Sequence, residues 1–157
     1  MTKAQWILIA SFAASFYNVG TIWMTQFGWR LWTYVAPGDF EHYHLAWWAM
    51  IKPVVFPVAA VAFFGSIAML WWRPAGVAAT ALWLNFTLQM LTYAATAVFW
   101  GRWQAKTHFA ALPDGSLDPM YALAMNTHWI RAAIITVNGL VMFWMVAENM
   151  MAGRSAS

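Results

Sequence analysis

Apolar residues fill four long stretches of the chain, and short segments rich in charged residues, proline and glycine separate them. A bilayer core of about 30 Å is crossed by about 20 mostly apolar helical residues, and each stretch reaches that length. The pattern therefore predicts an all-α, integral membrane four-helix up-down bundle that forms a single domain over residues 1–157. The predicted spans cover about residues 5–32, 44–72, 77–103 and 118–150.

The segments between the predicted spans differ in length. The sequence RPAG at 73–76 predicts a tight turn, because proline and glycine end and reverse helices. Asp118 followed by Pro119 is a typical helix start, with an N-cap and a proline at the first helical position. Alternating spans place the polar segments 37–43 and 106–119 at one end, called the loop side here. Both termini and the 73–76 turn lie at the other end, called the terminal side.

Composition supports a membrane class. The chain is 63% hydrophobic and 8% charged, whereas a soluble domain carries roughly 25% charged residues. The absence of cysteine excludes disulfides and thiolate ligands. A net charge of +3 without a basic cluster favours contact with anionic lipid headgroups over nucleic acid. Lys and Arg are balanced between the two ends, and we expect both termini to lie in the cytoplasm.

Polar residues inside the predicted spans recur three, four or seven positions apart, so each helix carries one polar stripe. Lipid cannot satisfy these groups, and the stripes should therefore face the bundle interior. They act there either as hydrogen-bonding contacts between helices or as the wall of a binding pocket. The stripes are Ser11, Ser15, Asn18 and Thr25; His44, Trp48 and Lys52; Asn85, Gln89, Thr92 and Thr96; and His128, Arg131, Ile135 and Asn138.

Two cations lie deep within predicted spans. A charge at the centre of a membrane helix costs roughly 2.5–3.5 kcal/mol, unless it reaches the interface or finds a partner. Lys52 and Arg131 either extend toward the acidic residues of the loop side or receive an anionic or carbonyl-bearing ligand. Pro53 and Pro57 follow Lys52 and predict a kink in the second span, which favours a pocket beside it.

All four histidines fall on the loop side, at positions 42, 44, 108 and 128. If the second helix begins near Tyr43, then His44 faces inward with Trp48 and Lys52, and His42 lies outside the helix in solvent. His44 and His128 are the pair that could hold a haem or another metal, although a lone interfacial histidine also serves as a hydrogen-bonding group.

Tryptophan is abundant, with 13 residues in the chain. Most of those near span ends belong to the loop side. This distribution is typical of an aromatic belt at the membrane interface, and the alternative is a stacking platform for a flat ligand. The loop-side residues are Trp29, Trp32, Trp47, Trp48, Trp100, Trp103 and Trp129.

Several short motifs are similar to those of a known family: F-x-x-Y-H at 40–44, PVVF at 53–56, RPAGV at 73–77, LQ at 88–89 and THWIR at 127–131. The chain resembles the anthrone-oxygenase-like group of bacterial four-helix membrane proteins. The resemblance implies an inner-membrane location and, for some relatives, oxidation of polycyclic phenolics with oxygen. It points to His44, Gln89, His128 and Arg131 as site residues.

These features lead to a functional hypothesis. The bundle is expected to hold a polar pocket near the outer face that opens on the loop side and binds a small aromatic or quinone-like molecule. Arg131 and Lys52 would hold an oxyanion or carbonyl, and His44 or His128 would move a proton, as in a membrane-bound oxidoreductase or oxygenase. The other predicted wall residues are Gln89, Asn85, Asn18, Trp48 and Asn138.

Two alternatives remain open. The chain could be an accessory subunit of a larger respiratory or photosynthetic membrane complex, which packs through its tryptophan-rich faces on a membrane-protein partner. It could also transport a solute, which would require a homo-oligomer because four helices form a small conduit. The partners predicted in all cases include the lipid bilayer and exclude nucleic acid.

Overall fold

The computed structural model describes residues 1–154, with side chains to Gly153. Over this range the chain is helical and forms no β-strand, only an isolated bridge between Ala111 and Leu117. The helices are α1 (Lys3–Arg30), α2 (Phe40–Trp71), α3 (Ala79–Ala95), α4 (Gly101–Ala105) and α5 (Pro119–Arg154). A 3-10 turn, Leu31–Tyr34, extends α1, and a π-helical segment, Thr96–Trp100, joins α3 to α4.

The long helices form a bundle in which consecutive elements are neighbours. Helix α1 packs against α2 and α5, and α3 packs against the same two helices. Helices α1 and α3 therefore lie diagonally across the bundle, as do α2 and α5. This arrangement encloses a central space to which all the helices contribute.

Three helices are long and apolar enough to cross a membrane: α1 with its 3-10 extension, α2 and α5. The predicted span at 77–103 is not among these three helices, because the π segment interrupts its α-helix after the 17 residues of α3. The helical backbone nevertheless continues from Ala79 to Ala105 without a loop. The prediction of an all-helical bundle is confirmed, and crossing of a membrane by all four predicted spans stays a prediction.

The predicted helix ends agree with the structure at two places. Asp118 caps α5, since its carboxylate accepts hydrogen bonds from the backbone N–H groups of Met120 and Tyr121, both at 2.9 Å. The turn at 73–76 is also present, and Gly76 adopts a φ of 74° that glycine tolerates best. Helix α2 begins at Phe40, earlier than predicted, so His42 lies in its first turn rather than outside it.

Two apolar clusters close the ends of the bundle. Near the terminal side, Leu8, Met69, Leu82 and Met142 are almost fully buried with their neighbours. At the loop side, the buried cluster is built mainly from aromatic residues, including Trp29, Trp32, Phe40 and Tyr121. Most residues of the predicted polar stripes lie between these two clusters, where the main cavity is found, whereas His44 and His128 pack within the aromatic cluster.

Candidate functional site

The main cavity lies between the helices and has a volume of about 100 Å³. An engineered cavity of about 150 Å³ is known to bind benzene, so the enclosed space is smaller than one that holds a single ring, and a substituted ring must widen it or extend beyond it. Its wall draws on α1, α2, α3, α4 and α5. The residues are Ser15, Asn18, Thr21, Ile22, Thr25, Trp29, Trp47, Trp48, Ile51, Lys52, Val55, Phe56, Ala59, Gln89, Thr92, Tyr93, Gln104, Arg131, Ile135 and Asn138.

Two cations face this cavity, and no acid among the described residues joins them on its wall. Arg131 makes no ion pair or hydrogen bond within residues 1–153, and its Nε atom is fully buried without a partner. The Lys52 ammonium lies 5.3 Å from the centre of the Trp48 ring, a weak cation–π contact. The cavity therefore carries positive charge that the described part of the chain does not neutralise.

Amide side chains form another part of the wall. The Gln89 Nε2 donates to Asn138 Oδ1 at 2.8 Å, and Asn138 Nδ2 donates to Asn85 Oδ1 at 2.8 Å. Asn85 does not line the cavity and instead holds Asn138 from behind. Each amide orients the next one. The network therefore determines which polar atoms of Gln89 and Asn138 can still form hydrogen bonds with a molecule in the cavity.

Besides the Nε of Arg131, three groups of wall residues are buried hydrogen-bond donors without a partner. They are the indole Nε1 of Trp29, the amide Nε2 of Gln104 and the hydroxyl of Ser15. Trp29 and Gln104 are 3% and 4% exposed, so bulk water does not compensate them. A buried unpaired polar group costs about 1–3 kcal/mol. These atoms have no exposed surface, so an acceptor oxygen in the cavity could pair with them only after neighbouring side chains move.

The mouth of the cavity lies halfway along α2. Lys52 and Phe56 are the exposed wall residues, whereas the others are buried or half-buried. At the loop side the aromatic cluster covers the cavity, since the Trp29 ring contacts Trp32 and Trp47 with centroids 5.3 and 6.3 Å apart. This mouth differs from the loop-side opening that the sequence suggested.

The two histidines expected in the pocket lie in the aromatic cluster and not on the cavity wall. His128 is fully buried, and its Nδ1 is 2.6 Å from Gln26 Oε1. As the amide oxygen is an acceptor, Nδ1 donates and Nε2 keeps its lone pair. His44 is also buried, and its Nε2 has no partner.

A haem held by His44 and His128 does not fit this arrangement. The His44 ring contacts Trp32, Trp32 contacts Trp29, and Trp29 contacts His128, with centroid separations of 5.2, 5.3 and 4.7 Å. These indole rings occupy the space through which the two imidazoles would have to approach one iron atom. Within the described residues, no group of three or more His, Asp or Glu side chains is placed to hold a metal ion.

Burial separates His42 from His44, as the sequence predicted. His42 is exposed, whereas His44 packs against the rings of Trp32 and Phe40. We expect His42→Gln to leave the free energy of unfolding unchanged and His44→Gln to lower it by about 1–3 kcal/mol, because the contacts of the imidazole with three aromatic rings are lost. Thermal unfolding in detergent, followed by tryptophan fluorescence, measures both variants. Equal losses at the two positions would contradict this assignment.

The structure brings most of the predicted site residues together. Those on the cavity wall are Arg131, Lys52, Gln89, Asn18, Trp48 and Asn138, while Asn85, His44 and His128 lie behind it. The expected extension of Lys52 and Arg131 to loop-side acids is not seen, since neither makes an ion pair within residues 1–153. The aromatic belt is also wrong for Trp29, Trp32 and Trp100, which are at most 5% exposed.

Sequence reasoning missed Gln104 because of the π segment. In a regular α-helix, five turns of about 3.6 residues would place Trp103 on the same face as the buried Asn85. The π segment adds one residue, so Gln104 lies on that buried face instead. Tyr93 was also missed, and its hydroxyl donates to the Ala59 carbonyl at 2.6 Å. Gln26 could have been found, since it lies eleven residues, or about three helical turns, after Ser15 of the α1 stripe.

Comparisons with protein-family models, with curated proteins and with solved structures found no match. No known protein therefore indicates a function, and the geometry of the cavity is the available structural guide.

Proposed function

We propose that the chain is an integral protein of the bacterial inner membrane and that its main cavity binds a small aromatic or quinone-like molecule. Three helices have the length and apolarity to cross a bilayer. The fourth span would be the continuous helical path from Ala79 to Ala105. Large apolar side chains such as Met24, Phe64 and Trp83 are more than half exposed, which suits a lipid environment.

One observation supports the ligand class above the others. Arg131 faces the cavity without an acidic or hydrogen-bonding partner in the described chain. A cation in such a place is costly, and a carbonyl or oxyanion of a ligand would compensate it. The unpaired donors of Trp29 and Gln104 favour the same acceptor chemistry. The indole rings of Trp47 and Trp48 complete a wall suited to a flat ring.

A redox role for the bound molecule is a separate part of the proposal. It rests on the resemblance to the anthrone-oxygenase-like group and on the buried histidines. His128 keeps the Nε2 lone pair that could accept a proton, but the Trp29 ring covers the imidazole. Proton exchange with a molecule in the main cavity would therefore require a movement of Trp29.

An accessory-subunit role is the second candidate, favoured by an exposed aromatic surface on α1 and α5. Trp129 contacts Trp23 and Phe27, with ring centroids 5.5 and 6.3 Å apart, and Arg30 lies over its ring. Such a surface could pack on another membrane protein or on a second copy of the chain. Stoichiometric co-purification of a partner under mild detergent would favour this role over independent ligand binding.

Binding is tested with two molecules that differ in their carbonyl groups. Duroquinone and durene have the same methylated ring, and durene lacks the carbonyl oxygens. Equilibrium dialysis against the protein in lipid nanodiscs, with empty discs as control, should show saturable binding of one duroquinone per chain. Durene should bind at the level of the empty discs. If both compounds partition equally and without saturation, the cavity does not recognise carbonyl groups.

Topology gives a further prediction. If four spans alternate, a reporter at Gly115 lies outside the cytoplasm and a reporter after Ser157, a position outside the described residues, lies inside. Paired fusions of alkaline phosphatase and green fluorescent protein measure this, since each is active on one side of the inner membrane. Activity of the same reporter at both sites would show that α5 does not cross the membrane, because α5 is the predicted span between the two positions.

A further inference from the structure

The Trp29 ring lies between the main cavity and His128. The ring lines the cavity and also packs on the imidazole of His128, with centroids 4.7 Å apart. His128 comes three residues before Arg131 and seven before Ile135, and both of these residues line the cavity. Residues at this spacing share one face of a helix. His128 therefore belongs to the cavity-facing stripe of α5, and the Trp29 ring covers it.

Two polar atoms behind the Trp29 ring have no hydrogen-bond partner. His128 donates from Nδ1 to the Gln26 Oε1, which leaves the lone pair on His128 Nε2 and the Nε2 amide group of Gln26 unpaired. Both side chains are fully buried. The pair thus offers one acceptor and one donor, and a single hydroxyl group can satisfy both with its hydrogen and its oxygen.

A ring that enters the cavity has to displace part of its wall, because the enclosed space is smaller than one that holds benzene. The Trp29 ring can move without breaking a hydrogen bond, since its Nε1 has no partner. The backbone of the residue stays in place, because the Tyr121 hydroxyl donates to the Trp29 carbonyl. The neighbouring Trp47 ring is half-exposed and can yield toward the surface.

We propose, building on the binding function above, that a bound ring displaces Trp29 and places a hydroxyl group between His128 and Gln26. Arg131 holds the oxygen at the other end of the ring. Residues three apart on a helix are separated by about 4.5 Å along its axis, a distance that one ring with two opposite oxygens can span. A hydroquinone has an O–H group to donate to His128 Nε2, whereas a quinone has none. The preferred ligand is therefore a hydroquinone, and His128 determines this preference.

Duroquinone and durohydroquinone test the hydroxyl subsite, because they have the same methylated ring and differ in their two hydroxyl hydrogens. Equilibrium dialysis in nanodiscs under argon, corrected with empty discs, should show about two- to tenfold tighter binding of durohydroquinone. His128→Asn retains a donor near Nδ1 but has no acceptor at the position of Nε2, and the preference should disappear. His128→Gln restores an acceptor near that position and should recover most of the preference.

Nitrogen-15 NMR of histidine-labelled protein in nanodiscs observes the subsite directly. The His128 Nε2 resonance is identified by its absence in His128→Asn. It should shift upfield with durohydroquinone, because its lone pair then accepts a hydrogen bond. Duroquinone, which has no hydrogen to donate, should shift it far less.

Replacement of Trp29 by phenylalanine tests whether the ring is displaced. The smaller ring leaves more room, so both compounds should bind more tightly, by about fourfold or more, because fewer ring atoms have to move. Trp83→Phe is the matched control, since Trp83 is exposed and does not line the cavity. Weaker binding in Trp29→Phe would show that the indole is a fixed part of the site and that His128 stays covered.

The results distinguish the hydroxyl subsite from the binding function. If duroquinone binds saturably but durohydroquinone binds no more tightly, or the His128 resonance does not respond to it, the subsite does not exist and the binding function still holds. If neither compound binds in the wild-type protein, the binding function fails and the subsite fails with it.

Discussion

Replacement of Arg131 by methionine is expected to abolish most duroquinone binding without loss of stability. A hydrogen bond to a charged group contributes about 1.5–3 kcal/mol, so the dissociation constant should rise by a factor of roughly 10 to 150. The free energy of unfolding should stay the same or increase. The guanidinium has no partner to lose within residues 1–153, and the variant removes an uncompensated charge from the bundle interior.

Arg102 provides the matched control, because it is an exposed arginine on α4 and does not line the cavity. Arg102→Met should change neither duroquinone binding nor stability. Equilibrium dialysis and unfolding in mixed detergent micelles measure the two properties on the same samples. A loss of about 3–5 kcal/mol in Arg131→Met, as expected when a buried ion pair is broken, would show that the arginine has a structural role instead.

Replacement of Gly65 by alanine is expected to destabilise the bundle by about 1–3 kcal/mol, because the α1–α2 seam is closest there. An added Cβ would lie 2.0 Å from Ser11 Oγ and 3.1 Å from Ser11 Cβ. Ser11 is 1% exposed, so its side chain has little room to move away. The seam must open, and unfolding in mixed micelles should report the loss of stability.

Two further variants test whether the loss of stability arises from the contact between residues 65 and 11. Gly20→Ala adds the same methyl group on α1 where nothing lies within 4 Å, and its helix propensity should stabilise the chain by up to about 1 kcal/mol. Ser11→Gly in combination with Gly65→Ala removes the clashing atoms and should recover most of the lost stability. Equal effects of the alanines at 20 and 65, or no recovery in the double variant, would contradict a tight seam.

Apolar length and polar periodicity were sufficient to predict the helices and half of the residues of the cavity wall. The stripe residues Asn18, Gln89, Arg131 and Asn138 converge because groups three, four or seven apart share one helix face. The same rule failed beyond Thr92. The π segment shifts the helix face on which later residues lie by one position, and the polar periodicity of α3 does not predict this shift. The predicted span also ended at Trp103, where the apolar stretch ends, and it therefore left out Gln104.

The aromatic residues show a different limit of sequence reasoning. An indole at the end of a span is equally compatible with a membrane interface and with a packed interior. The 3-10 turn after α1 and the early start of α2 bring Trp29 and Trp32 onto Phe40 and His44. Whether these indoles face the membrane interface or the packed interior depends on the path of residues 31–39. The periodicity within the helices does not predict that path.

The infrared spectrum of bound duroquinone tests the central claim most directly. A carbonyl that accepts hydrogen bonds from Arg131 and its neighbours absorbs at lower frequency than one dissolved in lipid. Difference spectra of protein-containing and empty nanodiscs, with carbon-13 labelling of the carbonyls to assign the bands, should show a shifted carbonyl band in the wild type. In Arg131→Met the band should return to its position in lipid. An unshifted band in the wild-type protein would contradict recognition of the carbonyl by the cavity.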